Sequence, residues 1–312
     1  MRYLVTGASG FIGWHLVERL AKEGHAVTAW TRAGRNLWTV RDITCAGVEI
    51  TNAAAVAEGL KAVAPEVIFH LAAQSIPTRS WADPVGTMQT NLNGTLNLLE
   101  AVRAQTSSRP RVIIAGSSSQ YASSADGGPI GEEAAVDPGS PYAVSKLAAD
   151  ACGRAYHRAF GLDVIRFRPF FWIGPRKEGD VASDLARRVV AIERGAEAKL
   201  AVGRTDVVRD MIDVRDGIEA MVLLAQKGRA GEAYNICAGT GVSIAQLIEA
   251  YRRLTTVRFE TVNDPKLLRP VDELMRVGDA TRIKALGWKP TVPFEQSARD
   301  ILGYWRAQSR NV

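Results

Sequence analysis

The sequence predicts an α/β fold, a doubly wound parallel sheet followed by a smaller, discontinuous C-terminal lobe. Three observations predict it. Short β-branched runs alternate with helical patterns through the first half of the 312 residues, a glycine-rich turn follows the first run directly, and the alternation fades after Gly161. Strands separated by helical crossovers pair in parallel, and right-handed crossovers put helices on both faces of the sheet, with ligands at the carboxyl ends of the strands.

Residues 3–6, 26–30, 67–70, 111–115 and 163–167 read as strands, each a short apolar run bounded by breakers. The intervening helices, 11–23, 53–63, 85–104 and 141–160, carry apolar residues at helical spacing, as in Ile12, Leu16 and Leu20. Residues 174–180, Gly-Pro-Arg-Lys-Glu-Gly-Asp, form a breaker-rich loop of mixed charge, and a helical pattern resumes over 182–194. Two later runs, 207–214 and 233–236, look like strands that rejoin the first sheet, and 294–306 reads as an amphipathic C-terminal helix. The expected division is therefore a first unit over 1–168, with 207–238 rejoining it, and a second lobe over 169–312.

Composition narrows the function classes. With 46% hydrophobic and 23% charged residues, the chain is ordinary for a globular protein, which excludes disorder, collagen and coiled coil as overall descriptions. No apolar run approaches the ~18 residues of a membrane span, and residues 1–13 lack the apolar core of a signal peptide. The expectation is a cytoplasmic protein without membrane association. Cys45, Cys152 and Cys237 are odd in number and far apart, and His15, His25, His70 and His157 show no metal-ligand spacing, so neither a disulfide framework nor a metal site is expected. The net charge of +6 is spread without a block of like charges. It is compatible with an anionic substrate and gives no footprint for nucleic acid.

The first strand runs into Gly7-Ala-Ser-Gly10-Phe-Ile-Gly13 and then a helix. The first glycine permits the tight turn, the second lets backbone N–H groups approach a pyrophosphate at the positive helix end, and the third allows close packing of helix and strand. Placed after a strand and before an amphipathic helix, this turn predicts a dinucleotide site of the Rossmann kind. The carboxylate that would hold the ribose 2′-hydroxyl of NAD is expected ~20 residues further on. Residues 29–35 read Ala-Trp-Thr-Arg-Ala-Gly-Arg instead, so Arg32, with Arg35 as a helper, offers a guanidinium to a 2′-phosphate, and NADP(H) is the expected cofactor.

Tyr142 and Lys146 are four apart in a helical pattern and share one face, where a cation near a phenol favours phenolate and lowers its pKa toward neutrality. The hydroxyl cluster Ser117-Ser118-Ser119 ends the preceding strand, a place suited to polarising a carbonyl.

Together with His70-Leu-Ala-Ala-Gln74, Asn91-x-x-Gly94-Thr95, Arg168-Pro169 with Gly174-Pro175, and Arg209-Asp-Met-Ile-Asp-Val-Arg-Asp216, these motifs resemble the extended short-chain dehydrogenases/reductases that modify sugar nucleotides. The resemblance covers essentially the whole chain. It implies that Gly7, Gly10, Phe11, Ile12 and Gly13 form the cofactor turn, that Glu49 and Ile50 lie near the adenine, and that Leu71, Ala72 and Ala73 follow, the last two along the nicotinamide ribose. It also implies that Ser117, by its place relative to Tyr121, is the catalytic hydroxyl that hydrogen-bonds the carbonyl oxygen. Tyr142 then supplies the proton, and Lys146 holds the ribose and tunes the tyrosine.

The second half is most similar to GDP-4-keto-6-deoxymannose reductases and their GDP-mannose dehydratase relatives, through Ser80-Trp81-x-x-Pro84, Ser183-Asp-Leu-Ala-Arg187, and Leu268-Arg269-Pro270 before Val277-Gly278-Asp279. On that likeness Gln74, Ser118, Ser119 and Phe171 face the substrate, and Arg187, Arg209 and Arg269 are the candidate ligands of its diphosphate. Phe171 stands where the family commonly has Asn, which removes amide hydrogen bonds. Dehydratases carry an acidic residue just after the catalytic Ser/Thr, whereas Ser118, Ser119 and Gln120 have no carboxyl group. The expected function is NADPH-dependent reduction of a 4-keto nucleotide sugar, with a 4-epimerase, a 4,6-dehydratase or a non-catalytic NADP(H)-binding regulator as alternatives. A homodimer, with helices 85–104 and 141–160 in a four-helix bundle, is implied by the same resemblance.

Overall fold

Strand residues alternate between two apolar surfaces, and the whole first half is organised by that alternation. In the computed structural model, which describes residues 1–40, 42–105, 109–123, 127–267 and 273–309, Tyr3 and Val5 face one buried cluster while Leu4 faces another. Both faces of the sheet are covered, as a parallel sheet requires.

The first unit runs β1 (Arg2–Thr6), α1 (Phe11–Lys22), β2 (Ala26–Thr31), β3 (Ile43–Gly47), α2 (Ala53–Val63), β4 (Val67–His70), α3 (Pro77–Ala82), α4 (Pro84–Met88), α5 (Gly94–Arg103), β5 (Arg111–Ala115), α6 (Pro141–Phe160) and β6 (Val164–Pro169). The chain continues through β7 (Phe171–Ile173), α7 (Val181–Glu193), β8 (Lys199–Val202), β9 (Val208–Arg209), β10 (Met211–Asp213), α8 (Val214–Lys227), β11 (Ala233–Ile236), β12 (Val242–Ser243), α9 (Ile244–Leu254), β13 (Glu260–Asn263), β14 (Met275–Arg276), α10 (Thr281–Lys284) and α11 (Phe294–Gln308).

The main sheet has seven parallel strands in the order β11-β6-β5-β4-β1-β2-β3. The strand order reverses between β1 and β4, and the crevice beyond their carboxyl ends is where such folds bind ligands. A separate apolar cluster joins α7, α9 and α11 to β8, Leu200 and Val202 among its members. Among the described residues no helix is long and apolar enough to cross a membrane.

Two expectations need correction, and one strand went unread in the sequence. The run 207–214 does not rejoin the main sheet, because Val208–Arg209 pairs with β12 and β14 and Met211–Asp213 pairs with β7. Of the stretch 207–238, α8 and β11 make the return, β11 pairing with β6 at the sheet edge. Helix 85–104 is interrupted: α4 and α5 are joined by a π-helical turn at Gln89–Asn93, and Asp83 caps α4 through Gly86 N at 2.9 Å. The edge strand β3, Ile-Thr-Cys-Ala-Gly and half exposed, had no apolar period to announce it.

Candidate active site

β1 ends at Thr6, and the chain turns at Gly7 with φ +64°. A Cβ at Gly7 would lie 2.6 Å from Ala72 N, and one at Gly13 would lie 2.4 Å from Gly7 O, so both positions accept only glycine. The turn packs against β4 because Thr6 and His70 meet between the two strands. Thr6 Oγ1 accepts from the N–H groups of Leu71 and Ala72 at 3.2 and 3.1 Å.

α1 begins at Gly10 with no side-chain cap and no acidic residue in its first turn, which leaves its N–H groups and its positive end to an anion. This cradle of side-chain-free backbone fits a dinucleotide pyrophosphate. A cleft of about 1190 Å³ opens over it. Its walls include Gly7, Gly10, Phe11, Ile12, Gly13, Arg32, Glu49, Ile50, Leu71, Ala72 and Ala73, all of which the sequence assigns to the cofactor. Arg35 is not among the lining residues. The Arg32 guanidinium is exposed and has no protein partner among the described residues, so the donors that would suit a 2′-phosphate are available.

The other cleft wall comes from β5 and α6. Ser117, two residues past the end of β5, caps a 3₁₀ turn, Ser118–Gln120, accepting from Ser119 N at 3.1 Å, with the Ser119 hydroxyl 2.7 Å away. α6 starts from Ser140, which caps Ala143 N at 3.1 Å, followed by Pro141. That start puts Tyr142 and Lys146 one turn apart, both lining the cleft with Ser117. Tyr142 and Ser117 are hydrogen-bonded through their hydroxyls. Burial pushes the Tyr142 phenol above its ordinary value, the Ser117 bond opposing it.

The lowering expected from Lys146 is therefore absent here, for a geometric reason. The Lys146 ammonium donates to the Ala115 carbonyl at 2.6 Å. Burial brings Lys146 down to about 8, with Asp150 pulling the other way. Asp150, one turn further along α6, takes Arg166 Nη1 at 2.8 Å and Arg168 Nε and Nη2 at 3.0 Å. Burial would raise its carboxyl, but the Arg168 and Arg166 guanidinia outweigh that and hold it below the usual range. Arg168 also donates to the Tyr121 hydroxyl at 2.8 Å, and Tyr121 donates to Asn235 at 2.7 Å, which ties the floor of the site to β11.

The substrate-side expectations divide. Gln74, Phe171 and Arg209 line the cleft. Arg209 donates to the carbonyls of Val208 and Glu273 at 2.8 and 2.9 Å. Ser118 and Ser119 do not line it: Ser118 is buried, its carbonyl taking Arg276. Arg187 does not line the cleft, and its guanidinium lies 5.1 Å over the Trp305 ring of α11. Arg188, the next residue, lines it instead. Arg269 falls outside the described residues.

Sequence reasoning missed Lys177, Asp184, Arg188 and Tyr304, all of which line the cleft. Counting by four from the Asp180 cap of α7 would have found Asp184 and Arg188. The Lys177 ammonium sits 4.5 Å from the Phe171 ring centre and pairs with Asp180 at 2.9 Å.

Residues 4–301 match the family model described as GDP-mannose 4,6 dehydratase. The chain is 35% identical to the GDP-6-deoxy-D-mannose reductase of Pseudomonas aeruginosa, across 99% of this chain and 98% of that one. It is 32% identical to the UDP-glucose 4-epimerase of Mycolicibacterium smegmatis, across 99% and 100% of the two chains. Among solved structures it is similar to RMD from Pseudomonas aeruginosa complexed with NADPH, with a TM-score of 0.87 and 33% identity over 99% of this chain and 100% of that one.

Proposed function

The chain belongs to the GDP-mannose 4,6 dehydratase family of extended short-chain dehydrogenases/reductases, and from that premise we propose that it is an NADPH-dependent oxidoreductase that reduces the 4-keto group of a nucleotide-diphosphate deoxysugar, with GDP-4-keto-6-deoxy-D-mannose the favoured substrate. The observation that carries this reading is the turn after β5. Ser117 stands in the cleft beside Tyr142, and of the three residues that follow it, Ser118, Ser119 and Gln120, none lines the cleft and none carries the carboxyl group that elimination of water needs. The similarity to a GDP-6-deoxy-D-mannose reductase and to an NADPH-bound structure supports the same direction. The test is to supply that keto sugar with NADPH and follow oxidation of the cofactor together with formation of the GDP-6-deoxyhexose. No oxidation would remove the reading.

In this mechanism the turn Gly7–Gly13 and the N-terminus of α1 hold the dinucleotide phosphates, Arg32 takes the 2′-phosphate, Glu49 and Ile50 flank the adenine, and Leu71, Ala72 and Ala73 line the ribose side. When bound, NADPH supplies the hydride that reduces the carbonyl carbon. Tyr142, its pKa raised by burial, keeps its proton at neutral pH and gives it to the carbonyl oxygen as negative charge develops. Ser117 hydrogen-bonds that same oxygen. Lys146, brought to about 8, remains mostly protonated at pH 7 and adds positive charge to the site while holding the ribose. Gln74, Phe171 and Arg209 face the sugar nucleotide, with Arg188 taking the place first given to Arg187. A 4-epimerase must retain its cofactor through two half-reactions, and Arg32 favours an exchangeable NADPH instead.

Residues 1–168 with α8 and β11 form the cofactor-binding unit in this reading, and the remainder forms the substrate lobe. Cys45, Cys152 and Cys237 are free, which suits a reducing cytoplasmic setting. A homodimer is supported by Trp81, Val85 and Val144, apolar side chains left exposed on α3, α4 and α6. Light scattering that gives a monomer at micromolar concentration would count against it.

A further inference from the structure

The strap between β7 and α7, residues 174–180, passes along α1 before α7 begins, and Arg176, Lys177, Glu178 and Gly179 line the cleft. One face of α1 receives it. Phe11, Trp14 and His15 stand three and four residues apart there, the His15 ring near-perpendicular to the other two with centres 5.5 and 5.1 Å away. His15 Nε2 donates to the Pro175 carbonyl at 3.1 Å, since a carbonyl can only accept. The Arg176 guanidinium lies 4.2 Å over the Trp14 ring, and the Lys177 ammonium stands 5.5 Å from the Phe11 ring. Phe11 is the first residue of α1, so these contacts sit beside the backbone cradle for the dinucleotide phosphates. The strap is also tied to the substrate side, where Lys177 donates to the Trp172 carbonyl and pairs with Asp180, the cap of α7. Its middle is strained: Arg176 has φ +72°, a left-handed conformation that a residue with a Cβ disfavours. An exposed cation over one ring, opposed by backbone strain, is a contact weak enough to open and close within a catalytic cycle.

We propose that the contact of Arg176 with Trp14 latches this strap to α1, and that the strap lifts for the dinucleotide to enter or leave, an inference that rests on the NADP(H) reading of the cleft. A reductase consumes one NADPH per turnover and must release NADP⁺ each time, so a gate beside the phosphate cradle governs exchange. The groups that pin the strap are all protein groups: the Trp14 ring, the Pro175 carbonyl with His15, and the Phe11 ring with Lys177. Loosening the latch therefore eases entry and exit alike and leaves affinity nearly unchanged. A residue that bound the cofactor directly would behave otherwise, its loss speeding exit without speeding entry.

The experiment is stopped-flow fluorescence of NADPH binding to the full chain, and of its displacement by excess NADP⁺, with no sugar nucleotide present. Arg176→Ala is expected to speed association and dissociation together by about fivefold or more, with Kd held within about twofold. Arg176→Lys keeps a cation over the Trp14 ring and is expected to return both rates to within about twofold of the wild type. Arg176 is exposed, so neither substitution disturbs the core. Unchanged rates in Arg176→Ala overturn the latch. Faster dissociation with association unchanged also overturns it and makes Arg176 a direct ligand of the cofactor. Failure to reduce any keto sugar, with both rates responding to Arg176→Ala, would remove the reductase reading and leave the latch standing.

Discussion

The hydroxyl of Thr6 donates to Nδ1 of His70 across 2.9 Å, and the direction follows from proton accounting. Thr6 Oγ1 already accepts from Leu71 N and Ala72 N, so its single hydrogen is free only for the imidazole. On the other side Thr95 Oγ1 donates to the Asn91 carbonyl at 2.6 Å and lies 3.0 Å from His70 Nε2, which must therefore carry the ring proton. A second proton on Nδ1 would meet no acceptor. Burial, followed by the charge of Lys146, holds His70 down at about 3.

The pH dependence of stability follows in sign. The unfolded chain takes up a proton on this histidine below about 6.5, and the folded chain does not until about 3. Stability from this residue is complete above pH 6.5 and is lost as the pH falls toward 3. Between pH 7 and pH 5 the loss is on the order of 2 kcal/mol. Denaturant midpoints at those two values, compared with His70→Gln, should show a smaller acid loss in the variant. Equal losses would mean that the ring titrates normally.

Tyr142→Phe keeps the ring and removes the proton donor. NADPH affinity is expected to stay within about twofold, while turnover of the keto sugar falls by ~10²–10⁴. Ser117 loses its hydrogen-bond partner in the same variant, so the rate loss should not be recovered by raising substrate. A near-native rate would assign the proton to another group.

Arg32→Asp tests the cofactor. A charge-assisted bond to the 2′-phosphate is worth ~1.5–3 kcal/mol, or about tenfold to over a hundredfold in favour of NADPH over NADH. The substitution should collapse or invert the ratio of kcat/KM values for the two cofactors. A wild type that uses NADH as well as NADPH contradicts the role given to Arg32.

Most of the cofactor wall was legible in the sequence because the glycine turn fixes backbone, and backbone fixes what lies against it. Gly7 touching Ala72 is the direct consequence of a chain reversal after β1. The substrate lobe was less legible for two reasons. Its strands are two to four residues long, as in β9 and β12, too short to show a period. Motif matching also gives a position along a helix without its face, and that is why Arg187 was chosen where Arg188 faces the cleft. The Tyr142–Lys146 spacing likewise puts two heads on one side of α6 but does not say that the ammonium will take the Ala115 carbonyl.

That one-residue correction is itself testable. Arg188→Ala should raise the KM for the keto sugar nucleotide by about tenfold or more, since a charged contact is lost. Arg187→Ala should leave KM within about twofold, because its guanidinium lies over Trp305 outside the cleft. The reverse order would restore the assignment made from the motif.

Reduction and dehydration separate most sharply by what the protein cannot start from. With hydroxyls and an amide at Ser118, Ser119 and Gln120, none of the three residues that follow Ser117 has the carboxyl group needed to remove the C5 proton and to protonate the C6 hydroxyl as it leaves. Incubated with GDP-mannose and NADP⁺, the protein is expected to form no 4-keto-6-deoxy product. Given the ready-made keto sugar and NADPH, it is expected to yield the GDP-6-deoxyhexose. Mass spectrometry distinguishes the two directly, since elimination removes one water from the parent sugar and reduction adds two hydrogens to the ketone. A dehydrated product from GDP-mannose would require a carboxylate elsewhere in the cleft to perform the elimination, and the roles given to the turn after β5 would then be wrong.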